Sequence, residues 1–416
     1  MSMRSQLSPN FQRLAWSNLT AQMAEQVALA AAPIVAVLVF SAGVGQTGLL
    51  QMALTLPFLL FAIPAGLLAD RMPRRNLMAA AEAIRAVALL AILGFIQLGI
   101  LTWPLLALFG FVAVCGTVAF SVAAPALVPA LVPTSALPTA NARIELARTT
   151  AFAAGPAIGG VLVGWIGAEM AFGLAAALSG GAAFLLRGID EPHRSTVTGR
   201  RPLQEIREGA VFVLRHPLLA PVFLTQFVFN TAFFIILAVF VPHAIHNLGL
   251  SPSGVGFTLG MFGVGMVIGA LLAPRIIALM AFGTVVAAGP CAGVIASALM
   301  ALTIWWPTPV FAALSFFLLG LGPILWIIST TTLRQRVTPN ELLGRVSAIN
   351  IMAYGARPIG SAIGALVGAL YGIEACFIVA FAAFVAQAML IICSPVVRLR
   401  NQPEMKQAPL PAPCIA

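Results

Sequence analysis

Gly66-Leu-Leu-Ala-Asp70-Arg-Met-Pro-Arg-Arg75 sets four charges between two long apolar stretches, in a chain of 416 residues that is 8% charged and 61% hydrophobic. So tight an acidic and basic knot reads as a short cytoplasmic turn between two membrane helices, built to latch and unlatch. The flanks decide the fold class. A mean hydropathy of +1.03 excludes an ordinary soluble globule. A helix needs about 20 apolar residues to cross the hydrocarbon core, and the apolar windows supply about twelve such spans. They fall near 14–40, 46–69, 77–97, 104–126, 139–165 and 169–187, then near 217–241, 253–273, 281–303, 309–333, 345–369 and 373–393. Without alternating polarity there is no case for a transmembrane barrel. The predicted class is all-α and polytopic.

The net charge of +10 invites a nucleic-acid reading, but its distribution points elsewhere. Arg4 and Arg13 precede the first span, Arg71, Arg74 and Arg75 follow the second, and Arg187 to Arg215 follow the sixth. Arg275, the pair Arg334 and Arg336, and the group Arg398, Arg400 and Lys406 follow the eighth, tenth and twelfth. The alternate loops hold no Lys or Arg. This is the positive-inside pattern, with both termini and the middle loop in the cytoplasm. Cys115, Cys291, Cys376, Cys393 and Cys414 show no ligand spacing and read as structural thiols. Gln22, Glu25 and Gln26 interrupt the first apolar run and argue against a cleavable signal peptide.

An internal repeat appears at an offset of 204 residues: Gln22 and Gln26 match Gln226 and Asn230, and Gly164 matches Gly368. Leu-Val-Gly at 162–164 recurs at 366–368. Two six-helix halves related by a weak repeat are the mark of secondary transporters, with the substrate site between the halves. The expected division is an N-terminal half at 1–187, a cytoplasmic linker at 188–216, a C-terminal half at 217–397 and a disordered tail at 398–416. Within the linker, Leu203, Ile206, Ala210, Val213 and Leu214 share one face of an amphipathic helix, expected to lie along the inner leaflet.

The segment from Gly66 to Arg75 resembles the loop signature of the major facilitator superfamily, with Pro73 where that signature carries Gly. Ala-Gly-Pro-Ala-Ile-Gly-Gly at 154–160 is similar to the core of the fifth-helix signature of its antiporter branches, although Ala142 and Ala151 replace two upstream glycines. Thr338 to Arg345 is similar to the drug and siderophore exporter branch. The resemblance implies that Asp70 and Arg74, with Gly66, Arg71 and Arg75, help hold the cytoplasmic side closed. The matching stretch Gly269-Ala-Leu-Leu-Ala-Pro-Arg275 has lost the Asp, so the latch is expected to be asymmetric.

Glu25 lies some 11 residues into its predicted span, or ~17 Å deep, where an ionised carboxylate costs about 2.5–3.5 kcal/mol. Asn18, Gln22, Glu25 and Gln26 share its helical face, which should line a watery cavity. Glu25 is expected to couple proton flow to substrate movement or to recognise a cationic substrate. Glu82 and Arg85, at i and i+3, are read as an ion pair near the cytoplasmic gate. Arg143, Glu145, Arg148, Glu341 and Arg345 are read as a charge cluster on the same side. Arg357, with Tyr354 one turn away, requires a counter-ion or carbonyls, and Glu25 is one candidate. Gly155, Pro156, Gly159 and Gly160 serve either close packing or a hinge in the fifth span. His243 and His246 could bind a metal, but no third ligand is near, so no metal and no cofactor are expected. Trp103, Trp305 and Trp306 read as interface anchors.

No Gly-x-x-x-x-Gly-Lys-Ser/Thr loop is present, which argues against ATP as the driver, and paired carboxylates for intramembrane enzymology are missing. The expected function is proton-coupled efflux of a drug, siderophore or other small metabolite. An importer or facilitator of the same fold is the alternative. The expected setting is the inner cell membrane, as a monomer whose partners are a small substrate, protons and lipid, and no nucleic acid.

Overall fold

The computed structural model describes residues 8–133, 136–191, 202–339 and 342–401, and no strand occurs among them. Lipid offers no partner to a free N–H or C=O, so the backbone closes its hydrogen bonds within helices. The N-terminal half contains α1 (Pro9–Phe40), α2 (Val44–Arg71), α3 (Arg74–Gln97), α4 (Trp103–Leu131), α5 (Leu137–Trp165) and α6 (Ala168–Arg187). After the linker helix α7 (Pro202–Arg215) come α8 (Leu219–His246), α9 (Pro252–Leu279), α10 (Phe282–Leu302), α11 (Pro309–Val337), α12 (Leu343–Met352) and α13 (Ala356–Ile392). A single 3-10 turn, Ala353–Gly355, joins α12 to α13.

Eleven helical stretches among the described residues are long and apolar enough to cross a membrane, and one of them, Ala353–Ile392, covers 40 residues. At 1.5 Å per residue that is ~60 Å, about twice the hydrocarbon thickness. Gly372 resolves the excess with φ 85° and ψ 178°, a backbone conformation essentially reserved for glycine. The chain turns there, giving twelve crossings in two six-helix halves.

Some boundaries differ from the sequence reading. α4 and α9 run on to Leu131 and Leu279 and do not stop near 126 and 273, because Pro125, Pro129 and Pro274 are absorbed inside the helices. α1 starts at Pro9, where the Ser8 hydroxyl accepts the Phe11 N–H at 3.2 Å and proline fits the first turn. α7 is not laid out for a leaflet alone. Its Ile206, Ala210 and Val213 pack with Leu219 of α8 and with Val346 and Ile349 of α12, and Gly209 sits against the Arg345 carbonyl. Leu214 remains 54% exposed, and the Leu203 side chain lies outside the described residues. The expected disordered tail begins too early at 398: the Phe282 N–H donates to the Arg400 carbonyl at 3.1 Å. Residues beyond 401, including Cys414, lie outside the described residues.

The two ends of the bundle differ. At the end opposite the termini, here the far end, the connections are tight, and all positive-φ residues among those described (Ser41, Gly99, Gly167, Gly249 and Gly372) lie there. Trp305 and Trp306 project from it, 64% and 62% exposed. The terminal end carries the basic turns and α7.

The halves meet at the far end. A Cβ on Gly160 of α5 would collide with the Pro252 carbonyl and lie 2.9 Å from the Gly256 Cα of α9. Gly48 of α2 sits against the backbone of Ala365 in α13. Ile34 and Val37 of α1 join the C-terminal core beside Phe240 and Phe316. At the terminal end the cores stay separate, one built around Phe11, Met78 and Phe120 and the other around Val286, Leu333 and Ile391.

Glycine contacts also knit each half together. A Cβ on Gly320 of α11 would land on the Phe262 carbonyl of α9, whereas one on Gly94 of α3 meets nothing within 4 Å. Gly320→Ala is expected to cost about 1–3 kcal/mol through overpacking and to lower the melting temperature in detergent. Gly94→Ala should leave it unchanged or slightly raised.

Candidate functional site

Where the cores separate, a cavity of about 450 Å³ opens between the halves. Its wall extends from Pro33 and Phe240 below the far-end seam to Arg334 and Asn350 towards the terminal end. Glu25 lies 16 residues into α1, or ~24 Å along it, deeper than the sequence boundary implied. Glu25 and Gln26 line the cavity, and their face continues through Leu29 and Pro33. Asn18 and Gln22 do not reach it. Asn18 is buried, and its Oδ1 has no hydrogen-bond partner among the described residues. From the matching helix of the second half, Gln226 and Asn230 both line the cavity. The Asn230 amide donates to the Gln226 carbonyl at 2.9 Å.

Arg357 is held chiefly by neighbours other than Glu25. Its Nε donates to Asn230 Oδ1 at 3.3 Å. Three rings surround the guanidinium: Tyr354 at 4.3 Å, Phe58 at 4.6 Å and Phe234 at 5.4 Å from their centroids. Each cation–π contact contributes about 0.5–2 kcal/mol as water is excluded. Phe58 belongs to α2, so this cage straddles the halves. Glu25 lines the same cavity as Arg357, but no ion pair joins them.

Two cavity arginines were not recognised as such from sequence. Arg148, assigned there to a cytoplasmic cluster, lines the cavity. Its Nε and Nη2 donate to Glu145 at 3.0 and 2.5 Å, and the guanidinium lies 5.5 Å from the Phe152 centroid. The signal was present in Arg148, Phe152 and Pro156, spaced i, i+4 and i+8 on one face. Arg334, read only as a marker of topology, lines the cavity from α11 and donates to the Thr331 hydroxyl at 3.3 Å.

Glu82 and Arg85 are not at the terminal-end gate. They are 0% and 3% exposed inside the N-terminal half, because α3 packs against α4 and α6 and turns this face inward. Arg85 Nη1 is 2.9 Å from Glu82 Oε1 and donates to the Ala21 carbonyl at 3.0 Å, while Nη2 donates to Thr117 at 2.6 Å. Ala21 is one turn from Glu25, so the Arg85 bond to its carbonyl reaches the helix that carries Glu25.

The bonds described for the terminal-end charges run to α4, to residues 189–191 at the start of the linker and to α7. Arg74 donates to the Ala126 carbonyl. The Arg75 guanidinium donates to the Ile189 carbonyl and lies 3.9 Å from Asp190, and its backbone N–H donates to Glu191 at 3.0 Å. Arg71 and Arg143 are exposed, Gly66 packs loosely against Val122, and the Asp70 side chain lies outside the described residues. Arg345 pairs with Glu208 of α7 at 2.6 Å. In α5, helix continues through Pro156. Gly155 and Gly159 admit Gln26 and Val27 of α1, while Gly160 admits α9, so these glycines act as packing surfaces here. A ring nitrogen of His243 lies 2.8 Å from the Thr303 hydroxyl.

The model of the Major Facilitator Superfamily matches residues 14–359. The chain belongs to this superfamily. An uncharacterized MFS-type transporter of Sinorhizobium fredii is 30% identical over 252 residues, covering 58% of this chain and 60% of that relative. The alignment thus spans less than two thirds of the relative's length. Among solved structures, a D-xylose-proton symporter superposes with a TM-score of 0.75 at 12% identity, covering 95% of this chain and 99% of that one. The nucleoside transporter NupG gives 0.73 at 14%, with 93% and 99% covered. A bacterial homologue of the iron transporter ferroportin gives 0.72 at 16%, with 92% and 98% covered. At these identities the superfamily fold is what is shared.

The Glu82–Arg85 pair has a direct test. Arg85→Met strands a buried carboxylate and should destabilise by about 3–5 kcal/mol, whereas the double change with Glu82→Leu should recover most of that loss. Melting of the purified variants in detergent measures both.

Proposed function

We propose that this superfamily member is a proton-coupled secondary transporter of a small organic molecule, with Glu25 carrying the proton. The observation that supports the reading most is the placement of Glu25, among the described residues the one carboxylate lining a cavity between two halves that meet at the far end. An ionised carboxylate at mid-membrane is costly, so its proton would move as access to the cavity changes sides. The halves would rock about the cavity, closing the terminal end as the Gly160–Gly256 seam parts.

Export is the direction we favour, on the resemblance of 154–160 to antiporter signatures, with a drug, siderophore or similar metabolite as cargo. With basic turns at the terminal end, both termini face the cytoplasm across the inner membrane, and the carrier works as a monomer. The second reading is import. The D-xylose-proton symporter and the nucleoside transporter share the fold, and the same Glu25 chemistry would serve it.

Membrane vesicles of both orientations, loaded with a pH dye and challenged with drugs and siderophores, separate the readings. Export predicts uphill accumulation in inside-out vesicles with alkalinisation of the lumen, and import predicts accumulation in right-side-out vesicles. Glu25→Gln should abolish uphill accumulation while preserving exchange of labelled for unlabelled substrate. Unchanged proton coupling in that variant would remove Glu25 from the mechanism.

A further inference from the structure

The charge balance of the cavity is the reverse of what a lone mid-membrane carboxylate suggests. Among the described residues, four charged side chains line it: Glu25, Arg148, Arg334 and Arg357. Arg148 has Glu145 as counter-ion. Arg334 and Arg357 have no carboxylate within ion-pair distance among the described residues; their partners are Thr331, Asn230 and aromatic rings. Neutral partners leave the charge of a guanidinium uncompensated, and in a cleft with apolar walls that charge projects into the cavity. A deep arginine is costly and faces a ligand path when it lacks a protein counter-ion.

The three guanidinium groups line the same cavity. Arg148 comes from the N-terminal half and Arg334 and Arg357 from the C-terminal half, and Tyr354, 4.3 Å from the Arg357 guanidinium, shares that wall. The planar fork of arginine matches the oxygens of a carboxylate or phosphate. Asn230 and the surrounding rings fix the orientation of Arg357, so little entropy is lost when an oxyanion docks. Beside these groups the wall is aromatic. Phe229 stacks on Phe233 at 5.7 Å, Phe233 meets Phe262 at 5.3 Å, and Phe262 meets Phe152 of the other half at 5.9 Å.

We propose that the cargo is a small organic anion with a planar apolar body, its oxyanion held by Arg334 and Arg357 beside Tyr354 and its body laid against the Phe152–Phe262–Phe233 wall. This rests on the transporter reading and narrows its substrate class. It turns away from a cationic cargo recognised by Glu25, since any cation in the cavity would face two uncompensated arginines.

The test uses three probes of one shape and different charge: biphenyl-4-carboxylate, biphenyl-4-carboxamide and biphenyl-4-carboxamidine. Binding to the purified full-length protein in detergent is read by the fluorescence of Trp326, which lines the cavity, and by thermal stabilisation, which tracks ligand occupancy. The carboxylate is expected to bind at least about tenfold more tightly than the amide or amidine, the scale of one charge-assisted hydrogen bond. Arg334→Gln and Arg357→Gln should each erase that preference, while Arg334→Lys and Arg357→Lys should retain much of it and show that the fold survives. Equal or tighter binding of the amide or amidine overturns the proposal. So does an unchanged carboxylate preference in both Gln variants, or failure of the carboxylate and the corresponding sulfonate and phosphonate to bind at millimolar concentration. A bound anion that is never moved in vesicles would instead overturn the transporter reading, and Glu25-dependent movement of a cation alone would overturn only the anion assignment.

Discussion

A charge can remain inside a membrane bundle only if the bundle supplies it with partners or water, and this constraint organises the interior of the chain. Arg85 is satisfied by Glu82, the Ala21 carbonyl and Thr117, all within one half. That arrangement is rigid, because each partner sits on a different helix and removing one would strand the others. Arg357 is satisfied differently, by an amide oxygen and by rings contributed from both halves. Its surroundings therefore depend on how the halves are placed, whereas those of Arg85 do not. Glu25 stands one turn from Ala21, whose carbonyl holds Arg85, and lines the same cavity as Arg357. One face of the site is fixed and the other is conditional.

The fold was largely legible in the sequence because the bilayer permits so few alternatives. Twelve apolar windows, basic residues in alternate loops and a repeat at 204 residues left little choice beyond two six-helix halves. Helix ends differed from the apolar windows for more than one reason: α4 and α9 run on through Pro125, Pro129 and Pro274, which a packed bundle tolerates, and α1 begins earlier, at its Ser8 cap. The site was only partly legible. Glu25, Gln26, Gln226, Asn230, Tyr354 and Arg357 do face one cavity, since polar residues in an apolar span are conspicuous. Depth along a helix could be counted, but the direction of a face towards cavity or core could not. Hence Glu82 and Arg85 form the expected ion pair but lie in a core and not beside a gate, while Arg148 and Arg334, assigned to the cytoplasmic side, line the cavity.

The charged knot at Gly66–Arg75 also takes on a different character. In this conformation Arg74 and Arg75 bind the ends of α4 and α6, and Arg345 binds α7. These bonds tie the terminal end of α3 to α4 and to the start of the linker, and α12 to α7.

The seam at the far end is made of backbone at Gly160 and Gly256 and nearly so at Gly48 and Ala365. A barrier closed by side chains leaks whenever one of them changes rotamer, on a timescale of picoseconds to nanoseconds. Where main chain closes on main chain there is nothing to swing aside, and those contacts can part only when whole helices separate. In the proposed transport cycle, opening at these points would follow the slow motion of the halves, while Ile34 and Val37 complete the seam with side chains.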